Sequence, residues 1–177
     1  ASFSAAGPTQ DAFIKPDIIA PGGHMMGMMK RNSYISSNHS ANQVGDTKYF
    51  EMAGTSQAAA VVSGIVALMY QQNPNLTPDE VKYRLMITSM PMIEAGVDPA
   101  VAKANYSVFQ QGAGRINAPD AVFATEGVEG SANQGMKIKK DLKDKEHYQG
   151  AAYYDEATGL YGVTGAANPD DGYSVWD

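Results

Sequence analysis

The chain has no cysteine. That excludes a disulfide, a thiol nucleophile and a cysteine-ligated metal site, but not secretion. It also lacks a basic excess: 13 Lys and Arg against 19 Asp and Glu leave a formal net charge of −6. That is the wrong sign for a nucleic-acid partner, which a basic face would serve. No run approaches the ~20 apolar residues of a membrane span. The start shows no basic stretch followed by an apolar one, so no signal peptide is expected. What remains is 177 residues, 44% of them hydrophobic, enough for one domain with a core. The chain opens on Ala1-Ser2-Phe3 as if in mid-domain, and reads as a fragment.

Residues 54 to 64, Gly54-Thr55-Ser56-Gln57-Ala58-Ala59-Ala60-Val61-Val62-Ser63-Gly64, carry the most information. A small hydroxyl residue stands there between a flexible glycine and an apolar run. A glycine tolerates the sharp bend, and the orphan N–H groups of a first helical turn point at whatever lies beside the hydroxyl. An oxyanion developing there would be stabilised by those donors and by the helix dipole. The same pattern also fits an ordinary N-capped helix. On spacing alone, nucleophile and cap both stand.

Two other blocks bear on the choice. Residues 15 to 22 are Lys15-Pro16-Asp17-Ile18-Ile19-Ala20-Pro21-Gly22, preceded by Phe3-Ser4-Ala5-Ala6-Gly7-Pro8. Residues 112 to 121 are Gly112-Ala113-Gly114-Arg115-Ile116-Asn117-Ala118-Pro119-Asp120-Ala121. In this order around Gly54-Thr55-Ser56, they resemble the C-terminal half of the catalytic domain of subtilisin-like serine proteases, the subtilase or peptidase S8 family, over residues 1–125. The family pattern Gly-Thr-Ser-Met-Ala-x-Pro-His-Val-x-Gly places its nucleophile at Ser56. Gln57, Ala60 and Val61 depart from it, standing where the pattern has Met, Pro and His.

The resemblance implies an α/β fold with a mainly parallel sheet and helices on both faces, three layers of which this chain holds the C-terminal portion. It implies a secreted or extracellular endopeptidase acting on polypeptide through an acyl-enzyme on Ser56. A hydroxyl nucleophile needs a base and a group that orients it. The family supplies these in Asp-Thr-Gly and His-Gly-Thr-His settings, and neither occurs here. His24, His39 and His147 read as surface or loop residues, and Asn32, Asn38 and Asn42 are poor matches for the family's oxyanion asparagine. The expected partner is therefore the N-terminal part of the same catalytic domain, and this chain alone is expected to be inactive. The alternative is a non-catalytic subtilase-like interaction module, motivated by Ala60, Val61 and the aromatic tail. An α/β-hydrolase esterase is disfavoured because Gly-x-Ser-x-Gly is absent around Ser56.

Punctuation and periodicity organise the rest. Residues 14 to 20 read as a buried strand closed by Pro21-Gly22-Gly23, and residues 24 to 49 as a Met-rich surface excursion without period. Residues 49 to 53 read as a short strand feeding the turn. Residues 56 to 72 read as a helix apolar on nearly every face, hence buried. Thr77-Pro78-Asp79-Glu80 offers a cap, a proline at the first helical position and a capping-box acid, with Val81, Leu85 and Thr88 on one face. Residues 89 to 111 read as irregular or weakly helical. Gly112-Ala113-Gly114 is expected to turn tightly and Asn117 to cap a short helix rather than to catalyse.

From residue 126 to 177 the composition turns to Gly and Tyr. Residues 127 to 135 look like a linker, and residues 136 to 145 like a solvated charge run. Tyr148, Tyr153, Tyr154, Tyr161, Tyr173 and Trp176 lie in a segment too short to build its own core. Either it docks these rings on the body or it is a stalk. Asp170-Asp171-Gly172 hints at calcium without the spacing of a calcium loop, so no metal or cofactor is expected.

Overall fold

A computed structural model describes residues 1–46, 48–93, 96, 104–157 and 159–164. The chain divides into two compact units, one of Ala1–Ser4 with Ala20–Gly64, the other of Ala5–Ile19 with Ile65–Asp177.

In the first unit, β1 (Met25–Met28) pairs antiparallel with β2 (Tyr49–Met52), Met25 opposite Met52 and Met28 opposite Tyr49. Between them lie α1 (Tyr34–Asn38), capped by Ser33, and a 3₁₀ turn, Ser40–Asn42. Ser36 is buried, its hydroxyl bonded to the carbonyls of Lys30 and Arg31. The Met-rich excursion thus holds a strand and a helix that lacked periodicity in sequence: Met25-Met26-Gly27-Met28 has no polar alternation to announce a strand.

Next comes α2 (Thr55–Gln72), its residues to Gly64 in the first unit and from Ile65 in the second. The expectation of an all-round buried helix is corrected: only Ile65 and Met69, one turn apart, are buried. Ala59, Ala60, Ser63, Gly64, Ala67 and Leu68 are exposed. The composition suits burial on every side, but among the described residues of α2 only Ile65 and Met69 are fully covered, while Ala58, Val61, Val62 and Val66 are half-buried.

The second unit holds α3 (Pro78–Ile87), α4 (Val108–Gln111), α5 (Ala118–Phe123), α6 (Ile138–Asp141) and the antiparallel hairpin β3 (Ala152–Asp155) with β4 (Leu160–Val163). Thr77 caps α3 with a complete capping box: its hydroxyl accepts from Glu80 N and the Glu80 carboxylate accepts from Thr77 N at 2.7 Å. Val81 and Leu85 are its buried stripe. Arg84 reaches across to the end of α5, donating Nε to Ala121 O at 2.5 Å and Nη2 to Ala124 O. A guanidinium among the last carbonyls of a helix satisfies acceptors that have no intrahelical donor. Asn117 caps α5, its Oδ1 accepting from Asp120 N. With Phe109, Ile116, Ala121 and Val122, these stripes supply the unit's core residues.

Residues 14 to 20 do not form the expected strand. Ile19 alone makes a parallel bridge to Arg115, which on its other side bridges Met90 antiparallel. Ile19 N donates to Gly114 O and its carbonyl accepts from Ile116 N, both at 2.9 Å. This is the one parallel pairing among the described residues; the named strands pair antiparallel. Pro16 cannot donate to a ladder, and all of residues 14 to 20 are only half-buried. Gly112 holds a left-handed φ of 59° against the carbonyls of Pro16 and Asp17, where a side chain would collide.

The segment expected to be a linker makes specific contacts within this unit. Ala132 N donates to Asp79 O at 3.0 Å and Asn133 Nδ2 to the Asp79 carboxylate at 2.6 Å. Tyr161 meets Phe109 edge-on, ring centroids 6.3 Å apart, an arrangement aromatic pairs favour. Tyr173, Trp176 and the Asp170-Asp171-Gly172 calcium reading lie outside the described residues.

Candidate functional site

Ser56 is the second residue of α2, and the helix begins where β2 has run out through Ala53 and Gly54. The Gly54 carbonyl accepts the opening bonds from Gln57 N (3.2 Å) and Ala58 N (3.3 Å), while Gly54 N donates to Gly22 O at 2.7 Å. Gly22 is buried. A β-carbon on it would come within 2.6 Å of Gly54 O and 3.0 Å of the Ala58 β-carbon. Two segments that sequence analysis singled out separately, Ala20-Pro21-Gly22 and Gly54-Thr55-Ser56, therefore meet backbone to backbone. Gly22 is the signal, since a side chain there would collide with Gly54 and block the approach.

Gln57 completes the turn. Its amide donates to Met52 Sδ at 3.9 Å, and its Oε1 occupies the space a Gly54 β-carbon would need, 2.8 Å away. The residue after the serine is thereby tied back to the end of β2. In the sequence Gln57 is only a departure from the family pattern, and nothing there signals this contact.

Ser56 itself is exposed, and among the described residues its hydroxyl has no hydrogen-bond partner. The helix dipole and the first-turn N–H groups favour negative charge beside it. No described histidine serves it as a base. His24 Nδ1 lies 2.6 Å from Glu51 Oε1. His39 ends α1, its N–H bonded to Ile35 O. His147 lies between Asp11 and Asp141, 3.2 Å from each. The asparagines are occupied as well: Asn38 Nδ2 donates to Tyr34 O and Asn42 Nδ2 to Glu51 O. Asn32 is exposed.

The acid of the first block has a structural place. Asp17 receives Lys15 Nζ at 2.5 Å and Lys82 Nζ at 3.0 Å. Partial burial pushes its carboxyl pKa up, but the hydrogen bonds and charges of the two lysines outweigh that and hold it below the ordinary 3.8. No group of three or more His, Cys, Asp and Glu side chains that could hold a metal occurs among the described residues. No helix among them is long and apolar enough to cross a membrane.

Residues 1–120 match the model of the subtilase family, Peptidase_S8. The chain is 51% identical over 82 residues to "Serine protease AprX" of Bacillus subtilis, covering 46% of this chain and 18% of that protein. It is 32% identical over 153 residues to "Subtilisin-like protease SBT3.1" of Arabidopsis thaliana, 84% of this chain and 17% of the other. "C5a peptidase" of Streptococcus pyogenes serotype M18 is 32% identical over 152 residues, 81% of this chain and 12% of that one. The chain spans less than a fifth of the length of each of these relatives.

Proposed function

Since the chain belongs to the subtilase family, we propose that it is the nucleophile-bearing part of a serine endopeptidase, with Ser56 as nucleophile. The observation that carries the reading is the backbone contact of Gly22 with Gly54, which seats Ser56 at the head of α2 within the family's matched region. Ser56 Oγ attacks the scissile carbonyl carbon. A histidine outside this sequence takes its proton, and an aspartate there orients that histidine. The Ser56 N–H and the helix dipole favour the tetrahedral oxyanion. The proton then passes to the leaving amine, the acyl group stays on Ser56, and water releases it.

The remainder of the catalytic domain would cover the exposed apolar face of α2, along which Ser56, Ala59, Ala60, Ser63 and Ala67 follow one another. Small residues there let another backbone lie close. The parallel bridge of Ile19 to Arg115 is compatible with these segments flanking a mainly parallel three-layer sheet completed by that part. The division near residue 125 follows the end of the family match at residue 120 and the change of composition beyond it. The endopeptidase reading entails a polypeptide substrate and, with the family resemblance, an extracellular setting.

An active-site-directed fluorophosphonate should label Ser56 in the complete protein and leave residues 1–177 alone unlabelled. Labelling of another serine in the complete protein, with Ser56→Ala still labelled, sinks the assignment. The exposed Ser56 without a base among the described residues, with Ala60 and Val61 off pattern, favours a second reading, a non-catalytic subtilase-like module. A parent sequence without the Asp and His motifs would decide for it.

A further inference from the structure

Residues 136–152 are fastened to residues 9–13 by two kinds of contact. The backbone makes the first: Gly150 N donates to Asp11 O at 2.7 Å and Ala152 N to Ala12 O at 3.0 Å. Gly150 lies so close to the Ala12 carbonyl that any side chain at 150 would collide with it. The second is a single imidazole. His147 Nε2 is 3.2 Å from Asp11 Oδ1, and Nδ1 is 3.2 Å from Asp141 Oδ1.

The two carboxylates flank opposite edges of the ring, so they do not converge on a point that an ion could share. A ring with a carboxylate on each nitrogen makes both hydrogen bonds only as the cation, when both nitrogens carry protons. The neutral ring has one N–H, and its other nitrogen would face a carboxylate lone pair to lone pair.

We propose that His147 is a proton-operated fastener: as a cation it joins Asp11 to Asp141 on α6, and on losing its proton it releases one carboxylate and loosens residues 136–152 from residues 9–13. The neighbouring charges do not compete in the same pH range. Lys140 Nζ pairs with Glu146 Oε2 at 2.8 Å. That hydrogen bond raises the lysine pKa and lowers the glutamate pKa, so both stay charged across neutrality. Tyr148 Oη accepts from Lys137 N at 2.7 Å and donates to Gly135 O. Among these groups the imidazole is the one that switches.

The bond to Asp11, then that to Asp141, holds the His147 pKa above its ordinary 6.5. A group raised on folding contributes fully below its unfolded value and loses that contribution as pH rises through the folded one. The fastening is therefore tightest below about pH 6.5 and slackens as pH rises through the raised folded value.

The test uses the complete protein carrying Ser56→Ala to prevent autolysis. Imidazole C2-hydrogen exchange, read by mass spectrometry, should place the His147 pKa above 6.5 and return it toward that value in Asp11→Asn or Asp141→Asn. Amide exchange of residues 136–152, corrected for its intrinsic pH dependence, should speed up about two- to fivefold from about pH 5.5 to about pH 8.5. In His147→Gln it should stay flat. An unshifted His147, or the same acceleration in His147→Gln, overturns the proposal.

Discussion

In the proposed mechanism, replacing the Ser56 hydroxyl by hydrogen removes the group on which the acyl intermediate would form. In the complete protein Ser56→Ala should lower kcat at least about a thousandfold, with KM and thermal midpoint little changed. Hydrolysis of a fluorogenic peptide beside a melting curve separates the two effects. Gly22→Ala tests the seat of Ser56 instead of its hydroxyl. Its β-carbon would meet Gly54 O at 2.6 Å, so the turn must move, and kcat should fall although no chemical group is lost. A destabilisation of about 1–3 kcal/mol is expected alongside. Asp17 gives a pH signature. Its carboxyl is held below 3.8, so its ion pairs contribute above that pH and are lost as pH falls through the lower folded value. Asp17→Asn should reduce stability at neutral pH and flatten the acid limb of the melting-temperature profile below about pH 4.

Among the elements, the start of α3 was legible because what specifies it lies within one turn: Thr77 caps, Pro78 fits the first position and Glu80 closes the box, while Thr88, read as part of its apolar face, is the C-cap beyond it. Thr77→Ala should cost about 1 kcal/mol, read by urea denaturation. The cap at Asn117 was legible for the same local reason. What could not be read depended on partners distant in sequence. β1 exists because Met25-Met26-Gly27-Met28 finds β2, not because its residues alternate. Residues 14 to 20 are apolar enough for a strand, yet gain only the Ile19 bridge. The length of α2 was legible to within a residue, but its burial was not, since composition reports what a helix can bury and neighbours decide what it does. At the site, the glycine pattern announced a tight turn around Ser56. The Gln57–Met52 contact had no sequence signal, because a thioether acceptor carries no motif.

At the scale of the whole molecule, the exposed stripe of α2 separates a chain complete in itself from one that is part of a larger core. Ala60→Glu puts a charge on that stripe. It would be nearly neutral if the face met water in the complete protein, as surface substitutions usually are. The proposed packing makes it severely destabilising there, by several kcal/mol, because it buries an unpaired charge. Melting curves of the complete protein with and without the substitution distinguish the outcomes, and an unchanged midpoint would mean that nothing covers α2.

The hydrogen bond from Gly54 to Gly22 has one more consequence, which concerns tolerance to change in length. It pins the two ends of the intervening segment together, so β1, α1 and β2 form a loop whose closure is set at its base. Loop-closure entropy grows only slowly with length, by about 0.6 kcal/mol for each doubling. Residues can thus be inserted or removed around α1, at the far end of the loop, without displacing the turn that bears Ser56. The segment that can change in length and the turn that bears Ser56 thus share one unit, joined at a base that the Gly54–Gly22 hydrogen bond closes.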